Sequence, residues 1–447
     1  MSREVIRLFV FWGIWLVIPL LVDVFIGLFS GLVVISSYLK KKKTTLEFLP
    51  YITILVPIYK SSKTLEGCLQ SIIDQTYPIK NIMVILINNG PEDGAHDIFS
   101  SIQERYPSLR MRWIDSSQGK SKALNKGLYM AEGKYIINID SDGVLEKNAI
   151  MRVVEKFESD QQIYAATGVV LIDDRLIEET ENRGLKLMQR CELFEYIESF
   201  VVGRGFQSWG NTMFTVAGAF SCYRKDIVLR TQLYNSETLG EDIHMTSQIR
   251  NFNKGKIALC EDAFFFVDPI DSWDKLYIQR QRWQRGALEV SSLFNNSSNK
   301  QQKNLRNILQ FTMIKDHTFV FPRFIWIFAM MYLVFLDYPM GLLIGANLIM
   351  YSVYVLNSLF YYFVSRLYLK NVDRLSKYVV KHFYIVLLLP IYRFVIFFMR
   401  LAGIINSAQK YATWNARTLT EERKIVGDRL KTRMKLYFKL KDWINNG

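Results

Sequence analysis

The stretch Tyr135-Ile136-Ile137-Asn138-Ile139-Asp140-Ser141-Asp142-Gly143 is a short apolar run that ends in two carboxylates one residue apart. The apolar part fits a buried strand, and alternate residues at the end of a strand can face the same ligand. Carboxylate oxygens suit a hard divalent cation that holds a diphosphate. Strings of Asp, Ser and Gly are also typical of plain turns, so the meaning of Asp140 and Asp142 depends on the surrounding sequence.

Other short β-branched runs occur at residues 51–56, 82–87 and 111–114, and apolar residues recur at helical spacing within 65–73. Strands that alternate with helices predict an α/β fold with a largely parallel sheet. In such sheets the ligands bind at the carboxyl ends of the strands.

Three loops are predicted to meet at that edge. Val56-Pro57-Ile58-Tyr59 closes the first strand, and Asn88-Asn89-Gly90 closes the second. A nucleotide could lie across these two loops. The third, Gly119-Lys120-Ser121-Lys122-Ala123-Leu124-Asn125, opens a helix and places Lys120 where a phosphate could dock. The alternative for this third motif is a solvated helix end with ordinary lysines.

Two motifs further along the chain offer groups for catalysis. Gly240-Glu241-Asp242 precedes an amphipathic run, so Asp242 would be ionised at a helix start and could deprotonate a hydroxyl, although Asp also serves there as an N-cap. In Gln279-Arg280-Gln281-Arg282-Trp283, the first, fourth and fifth residues share a helical face. Arginine can neutralise a diphosphate and tryptophan can pack on a sugar ring. A basic helix on a membrane surface is the alternative.

Composition separates the broad classes of protein. The 447 residues are 50% hydrophobic and 22% charged, with a mean hydropathy of +0.07, which excludes a disordered chain and predicts an aqueous part and a membrane part. The formal charge of +14 allows nucleic acid, anionic membrane or anionic substrate. The four cysteines form no CxxC pair, which predicts a reducing compartment without a disulfide framework.

Apolar blocks at 5–39, 319–336 and 341–369 predict three membrane-spanning helices, and the lysines at 40–43 place the following region in the cytoplasm. The first block is too long for a signal peptide. The predicted segments are an N-terminal helix and basic collar (1–44), a cytoplasmic catalytic domain (45–300), an interfacial linker (301–318), two transmembrane helices (319–369), an interfacial or re-entrant helix with a gating loop (370–418) and a basic amphipathic tail (419–447).

Residues 383–408 are also apolar but contain Arg393 and Arg400, which are costly inside a bilayer, so an interfacial or re-entrant helix is predicted there. The final 39 residues carry ten Lys/Arg against four Asp/Glu with interleaved apolar residues. This pattern favours an anionic leaflet, with nucleic acid as the rival partner.

The ordered motifs GKSKALN, DSD, GED and QRQRW resemble those of the processive membrane glycosyltransferases of family 2, such as hyaluronan, cellulose, chitin and poly-N-acetylglucosamine synthases. The resemblance implies a GT-A fold (a nucleotide-diphospho-sugar transferase domain) inserted between transmembrane helices, a UDP-linked donor, Mg²⁺ or Mn²⁺, and inverting transfer. The Asn88-Asn89 pair and Phe266-Val267-Asp268-Pro269 look closest to the glycosyltransferases associated with exosortase G systems. Other family members carry Asp-Asp-Gly-Ser at the Asn88-Asn89 position.

On the donor side, the resemblance implies that Asp142 is the metal ligand and that Asp140 faces the nucleotide and the metal. Trp414 and Arg417 resemble the Trp-x-x-Arg gating loop of hyaluronan synthases. The predicted nucleotide-binding residues are Pro57, Tyr59, Asn89, Lys120, Asp140, Trp414 and Arg417.

On the acceptor side, the resemblance implies that Asp242 is the base that activates the acceptor hydroxyl. Gly218 lies in a small-residue loop similar to the one under the acceptor sugar. The predicted catalytic residues are Asp242, Gln279, Arg282 and Trp283, and the predicted acceptor residues are Gly218, Glu241 and Trp283.

The sequence therefore predicts a multi-pass plasma-membrane enzyme with a cytoplasmic catalytic domain that extends a polysaccharide or glycan. Two alternatives stay open: transfer of a single sugar to a lipid or protein, and a non-catalytic subunit of a polysaccharide or secretion assembly. The predicted partners are a nucleotide-sugar donor, a glycan or lipid-linked acceptor, membrane lipids and further subunits of such an assembly, without nucleic acid.

Overall fold

A computed structural model describes residues 12–13, 17, 20–41, 46, 48–250, 255–295, 320–409, 418–425 and 428. The linker predicted at 301–318 and the tail beyond residue 428 lie outside them. The strands are β1 (Ile52–Ile58), β2 (Ile82–Asn88), β3 (Arg110–Asp115), β4 (Tyr135–Ile139), β5 (Gly143–Leu145), β6 (Ile163–Ile172), β7 (Phe220–Arg224) and β8 (Lys256–Val267). The helices are α1 (Ile26–Leu39), α2 (Leu65–Ile73), α3 (Ala95–Arg105), α4 (Lys120–Met130), α5 (Ala149–Ser159), α6 (Asp174–Glu179), α7 (Arg183–Ile197), α8 (Gly205–Trp209), α9 (Lys225–Val228), α10 (Glu241–Arg250), α11 (Trp273–Asn295), α12 (Val320–Phe335), α13 (Met340–Leu369), α14 (Asp373–Lys381) and α15 (Ile385–Gln409).

Within the described residues, eight strands form one sheet in the order β3-β2-β1-β4-β7-β6-β8-β5. β1 pairs in parallel with β2 and β4, and β2 pairs in parallel with β3. β7 runs antiparallel to β4 and β6, and β5 runs antiparallel to β8. β6 pairs in parallel with β8. The predicted largely parallel sheet is therefore right for β1 to β4, whereas the second half of the sheet is mixed. Apolar periodicity reports the burial of a strand but not its direction.

The amino-terminal half of the sheet is covered tightly by α4. A Cβ at Gly127 would lie 3.0 Å from Ile87 Cδ1 and 3.1 Å from Leu55 Cδ2, so glycine lets the helix approach the sheet closely. Both partners are fully buried core residues. This packing places the start of α4, with Lys120, at the carboxyl ends of the strands.

A bulge in β8 joins the sheet to the end of the apolar helix α1. The β6–β8 register shifts between Gly168 and Val169, where Cys260 and Phe264 are the successive partners in β8. The extra residues present Glu261, which lies 3.2 Å from Lys41 Nζ and 3.0 Å from Lys156 Nζ. Lys41 also pairs with Asp262. We call Lys41, Lys156, Glu261 and Asp262 the bulge clasp. Lys41, which lies in the predicted basic collar, thus pairs with two carboxylates of β8, and the collar stays a prediction.

By length and composition, two helices in the described part of the chain could cross a membrane, Met340–Leu369 and Ile385–Asn406. Ile26–Leu39 and Trp326–Phe335 are shorter apolar helices. The turn predicted between the second and third apolar blocks is present, with Pro339 before the first residue of α13. The sequence predicted no disulfide framework, and the four cysteines are buried free thiols.

Residues 385–409 form one continuous helix, α15, which packs against α7, α11 and α13. Arg393 pairs with Glu198 and donates to Ser358 Oγ at 3.1 Å. Of the two charges that argued against a membrane crossing, that of Arg393 is therefore compensated inside the protein, whereas Arg400 is exposed. The placement of 383–408 at the interface stays a prediction.

Candidate active site

The carboxyl ends of the first three strands lie in register and form the rim of the site. Ile58 aligns with Asn88, and Asn88 aligns with Asp115. The Asn89 amide donates to Ile58 O at 3.0 Å, and Asn88 Nδ2 donates to Asp115 Oδ1 at 3.1 Å. The two loops predicted to share an edge of the sheet do so.

The predicted nucleotide residues on this rim differ in accessibility. Pro57 lies within β1 and is buried, so its side chain packs in the sheet, whereas Tyr59 is 48% exposed. Asn89 is only 6% exposed, and its Oδ1 atom has no hydrogen-bond partner among the described residues. Because a buried amide oxygen is costly without a donor, Asn89 is suited to accept a hydrogen bond from a ligand.

The carboxylate pair follows β4 and is fixed by the loop after β1. Ser141 Oγ lies 2.7 Å from Ser61 Oγ, and Cys68 Sγ donates to Asp140 O at 3.8 Å. Burial and the charge of the neighbouring Asp140 together raise the pKa of Asp142 to about 6, against the opposing charge of Lys120. The site therefore has an excess of negative charge at Asp142.

Asp140 and Asp142 fit a divalent cation that takes only some of its ligands from the protein. Within the described ranges no three His, Cys, Asp or Glu side chains cluster as metal ligands. Asp142 and Asp140 supply two carboxylates, and Mg²⁺ characteristically takes one or two carboxylates with phosphate oxygens and water. The raised pKa of Asp142 shows that a cation beside it would be favourable.

Lys120 and Gly218 join the donor side to the acceptor side. Lys120 Nζ pairs with Asp140 and donates to Gly218 O at 3.3 Å. Burial alone would lower the pKa of Lys120, but Asp140, Glu241 and Asp142 outweigh it and raise the pKa. A Cβ at Gly218 would lie 3.7 Å from Asp242 Oδ2 and 3.8 Å from Lys120 Nζ. DSD, GKS and GED, which are far apart in sequence, therefore meet around Gly218.

The carboxylates of GED lie in the first turn of α10. The helix begins at Glu241, so Asp242 lies inside it rather than at its N-cap, and Asp242 Oδ1 accepts from the Ile243 amide at 2.8 Å. Burial raises the pKa of Asp242, although the Ile243 amide, Arg204 and Lys120 oppose the rise. Burial and the charge of Asp242 raise the pKa of Glu241 to about 7. Both groups are therefore more basic than ordinary carboxylates.

Helix α11 carries the predicted Gln279, Arg282 and Trp283. Its backbone touches the start of α10, because a Cβ at Gly286 would lie 3.0 Å from Gly240 N. Arg282 lowers the pKa of Glu241 by its charge, which places it on the GED side. Gln279 Oε1 is buried without a partner in the described part of the chain, and Trp283 is 48% exposed. Of these three residues, Arg282 is the one whose charge acts on Glu241, and the placement of Gln279 and Trp283 at the site stays a prediction.

Sequence reasoning missed a buried group of ion pairs next to the Trp283 ring. Arg280 pairs with Glu195 at 2.7 Å and with Glu192 at 3.5 Å. The Arg280 guanidinium lies 4.6 Å from the centroid of the Trp283 ring. The i, i+3 spacing of the two glutamates in the otherwise apolar stretch 191–197 was the available signal. This spacing could not identify the partner of the glutamates, Arg280, which is 85 residues away from Glu195.

It also missed Arg204, a single charge within the apolar run 200–206 whose field acts on Asp242. Trp414 and Arg417, the predicted gating residues, lie outside the described residues.

Comparison with known proteins agrees with this geometry. Residues 53–230 match the family model described as glycosyl transferase family 2. Poly-beta-1,6-N-acetyl-D-glucosamine synthase of Staphylococcus epidermidis is 24% identical over 270 residues, which are 60% of this chain and 62% of that protein. The protein of the same name from Staphylococcus aureus (strain COL) is 24% identical over 255 residues, 56% and 58% of the two chains. The match thus spans about three fifths of the length of these relatives.

Among solved structures, mannosyltransferase PcManGT from Pyrobaculum calidifontis, in complex with GDP-Man and Mn²⁺, has a TM-score of 0.54 at 14% identity. The superposition covers 79% of this chain and 97% of that chain. At this identity the likeness concerns the fold alone. The GT-A fold predicted from the motifs is confirmed, and the closeness to exosortase G-associated enzymes stays a prediction.

Proposed function

We propose that this chain, whose residues 53–230 form a family 2 glycosyltransferase domain, is a membrane-embedded inverting glycosyltransferase. It transfers a sugar from a nucleotide-sugar, UDP-linked by our proposal, to a growing polysaccharide or glycan. The observation that carries the proposal is the meeting of Lys120, Asp140 and Asp242 around Gly218. This arrangement brings Lys120, a cation that can face a diphosphate, and Asp242, the proposed base, together at one glycine.

In the proposed reaction, one group of residues activates the acceptor hydroxyl and another neutralises the leaving diphosphate. Asp242 takes the proton of the acceptor hydroxyl, and that oxygen forms a bond to the anomeric carbon as the bond to the diphosphate breaks. The electron pair leaves with the nucleoside diphosphate, whose charge Arg282 and Lys120 partly neutralise. Attack from the face opposite the leaving group inverts the anomeric centre. Trp283 and Gln279 orient the acceptor sugar by ring packing and hydrogen bonding.

Asp142 and Asp140 would hold Mg²⁺ or Mn²⁺, which supplies positive charge to the diphosphate when it is bound. The chain's own contribution is to keep both carboxylates at the rim. Ser61 does this through Ser141, and Lys120 does it through Asp140.

Replacement of the base tests the proposal. Asp242→Asn should reduce sugar transfer by about 10²–10⁴-fold, because an amide cannot accept the proton. Transfer is measured as labelled sugar incorporated into product, and UDP affinity by calorimetry should stay unchanged. Asp226→Asn, on the exposed surface of α9, is the control and should behave as wild type. Full activity of Asp242→Asn would remove it from this role, and absence of UDP binding in the wild type would favour the non-catalytic subunit.

Single-sugar transfer is the second candidate. It is favoured by the small number of helices long enough to span, two in the described part of the chain, since a translocation channel needs several. Product length on a gel separates the two: a ladder supports chain extension, and one added residue supports single transfer.

We also propose a plasma-membrane location with the catalytic domain in the cytoplasm. Support comes from the apolar helices α13 and α15, the four buried free thiols and the lysine run at 40–43. The proposed partners are the nucleotide-sugar, a glycan or lipid-linked acceptor, membrane lipids and subunits of a polysaccharide assembly.

A further inference from the structure

A half-buried arginine on the acceptor side, Arg204, is not used by the chemistry described above. Arg204 ends the π-helical segment Glu198–Arg204, and its guanidinium lies 4.3 Å from the centroid of the Phe200 ring. Its Nη1 atom is buried without a hydrogen-bond partner, and among the described residues no carboxylate lies within 4.0 Å as an ion-pair partner. π-helical segments are found frequently at functional sites.

Two other arginines of the domain differ from Arg204 in having acceptors for their terminal nitrogens. Arg250 donates to Met213 O at 2.6 Å and to Asn211 Oδ1 at 3.3 Å. Arg280 Nη2 lies 2.7 Å from Glu195 and 3.5 Å from Glu192. A guanidinium nitrogen that is buried without an acceptor costs free energy, which a bound anion would recover.

Ring contacts connect Arg204 to Trp283, because the guanidinium lies over Phe200 and 6.0 Å separates the ring centroids of Phe200 and Tyr196. Burial lowers the pKa of Arg204 to about 10, and Asp242 and Tyr196 oppose the shift by their charges. Asp242 does not pair with Arg204, so the guanidinium can still bind a ligand. Tyr196 also lies near Trp283, with 6.2 Å between the ring centroids. Arg204 therefore belongs to the acceptor side, with Asp242 and Trp283, rather than to the carboxylate pair.

The same segment contacts the apolar helices. Residues 198–204 pack against α1 and α13. A Cβ at Gly205, the next residue, would lie 3.2 Å from Val34 Cγ2 of α1, and Val34 O accepts from Tyr368 of α13 at 2.9 Å. A group bound at Arg204 would therefore lie between the proposed base and the helices predicted to meet the bilayer.

We propose that Arg204 binds a phosphate group of the acceptor, and that this acceptor is a sugar joined through phosphate to a membrane lipid. A guanidinium donates paired hydrogen bonds to phosphate oxygens. With the phosphate at Arg204, the sugar extends towards Asp242 and Trp283. The inference rests on the proposed function, because it assumes that the acceptor hydroxyl lies at Asp242. A soluble sugar phosphate presents the same anion, and the experiment separates the two sources.

The test measures binding to the full chain in nanodiscs of neutral lipid with UDP at saturation. The probes are dodecyl phosphate, dodecyl glucoside and glucose 1-phosphate. Wild type should bind dodecyl phosphate at least about ten-fold more tightly than either of the others, because a charge-assisted hydrogen bond is lost with the glucoside and the lipid chain is lost with glucose 1-phosphate. Arg204→Gln should lose the preference for phosphate and keep its UDP affinity. Arg105→Gln, an exposed residue of α3, is the matched control and should bind as wild type.

Unchanged dodecyl phosphate binding by Arg204→Gln would overturn the proposal. Equal affinity for glucose 1-phosphate and dodecyl phosphate in wild type would overturn the lipid source. If Arg204→Gln does not fold, the test uses Arg204→Lys, which keeps the charge but lacks the paired donors. This variant should bind dodecyl phosphate several-fold more weakly than wild type. Unchanged binding would again refute the site. Failure of wild type to bind UDP would instead contradict the proposed function.

Discussion

At the residue scale, Gly218 matters because it has no side chain. Its carbonyl accepts from Lys120, and the space of its missing side chain faces both Lys120 and Asp242. The sequence predicted each of these residues from its own motif: GKS, the small-residue loop and GED. It could not predict that Lys120 pairs with Asp140, because 20 residues separate them and the pairing depends on how α4 packs on the sheet.

The adjacent carboxylates Glu241 and Asp242 predict a pH effect. Since burial raises the pKa of Asp242, and that of the adjacent Glu241 to about 7, the ionised base is lost as the pH falls through the raised pKa of Asp242, and kcat/KM should fall with it. Glu241→Gln removes a neighbouring negative charge, so the pKa of Asp242 should fall and the acidic limb should move down by about one pH unit. The measurement is the pH profile of kcat/KM.

Glu237→Gln serves as the control for this profile, because Glu237 is exposed in the loop before α10. Its acidic limb should coincide with that of wild type. A limb that stays in place in Glu241→Gln would show that the two carboxylates do not titrate together.

At the element scale, the site depends on the contact between α10 and α11. The sequence predicted α11 as a helix with Gln279, Arg282 and Trp283 on one face, and it predicted the run after Asp242 as helical. The close approach of Gly240 and Gly286 was not predicted. A glycine within a helix has no pattern that reveals which backbone it will touch.

Gly286→Ala tests this contact. The new Cβ would lie 3.0 Å from Gly240 N and 3.1 Å from Gly240 Cα, so α11 must move away from the start of α10. Overpacking costs about 1–3 kcal/mol, which outweighs the gain of up to about 1 kcal/mol in helix propensity. Transfer should fall by about 10²-fold, because a shift near 1 Å misplaces the base. The readouts are UDP release and thermal unfolding.

Gly67→Ala is the matched control, since its Cβ would meet only Val144 Cγ1 at 3.8 Å within α2. It should keep activity and gain about 0.4–1 kcal/mol in stability. Equal activity of the two variants would mean that the α10–α11 spacing is not critical.

At the scale of the whole molecule, the bulge clasp connects the catalytic sheet to the base of α1. Glu261 is held by Lys41 and Lys156, whose charges lower its pKa against the opposing effect of burial. From the sequence, we predicted that the lysine run at 40–43 lies at the membrane surface. Only the register shift in β8 shows that Glu261 and Asp262 reach Lys41.

Glu261→Gln should lower the free energy of unfolding by about 1–2 kcal/mol, because two partly buried ion pairs lose their negative partner. Thermal unfolding of the detergent-solubilised chain measures this. Glu66→Gln removes an exposed pair with Arg105 at 3.6 Å and should leave the midpoint unchanged. Equal midpoints for both variants would mean that the bulge clasp does not stabilise the junction.

The sequence by itself determined the α/β class, the strand ends that carry Asp140, Asp142 and Asn89, and the helix that carries Asp242. These features depend on local periodicity and on motifs of a few residues, so short windows of sequence report them. The tertiary structure decided the direction of β7, the pairing of Lys120 with Asp140, and the unpaired state of Arg204. Each of these depends on residues that are distant in the chain and brought together by packing, and packing is set by the whole core at once.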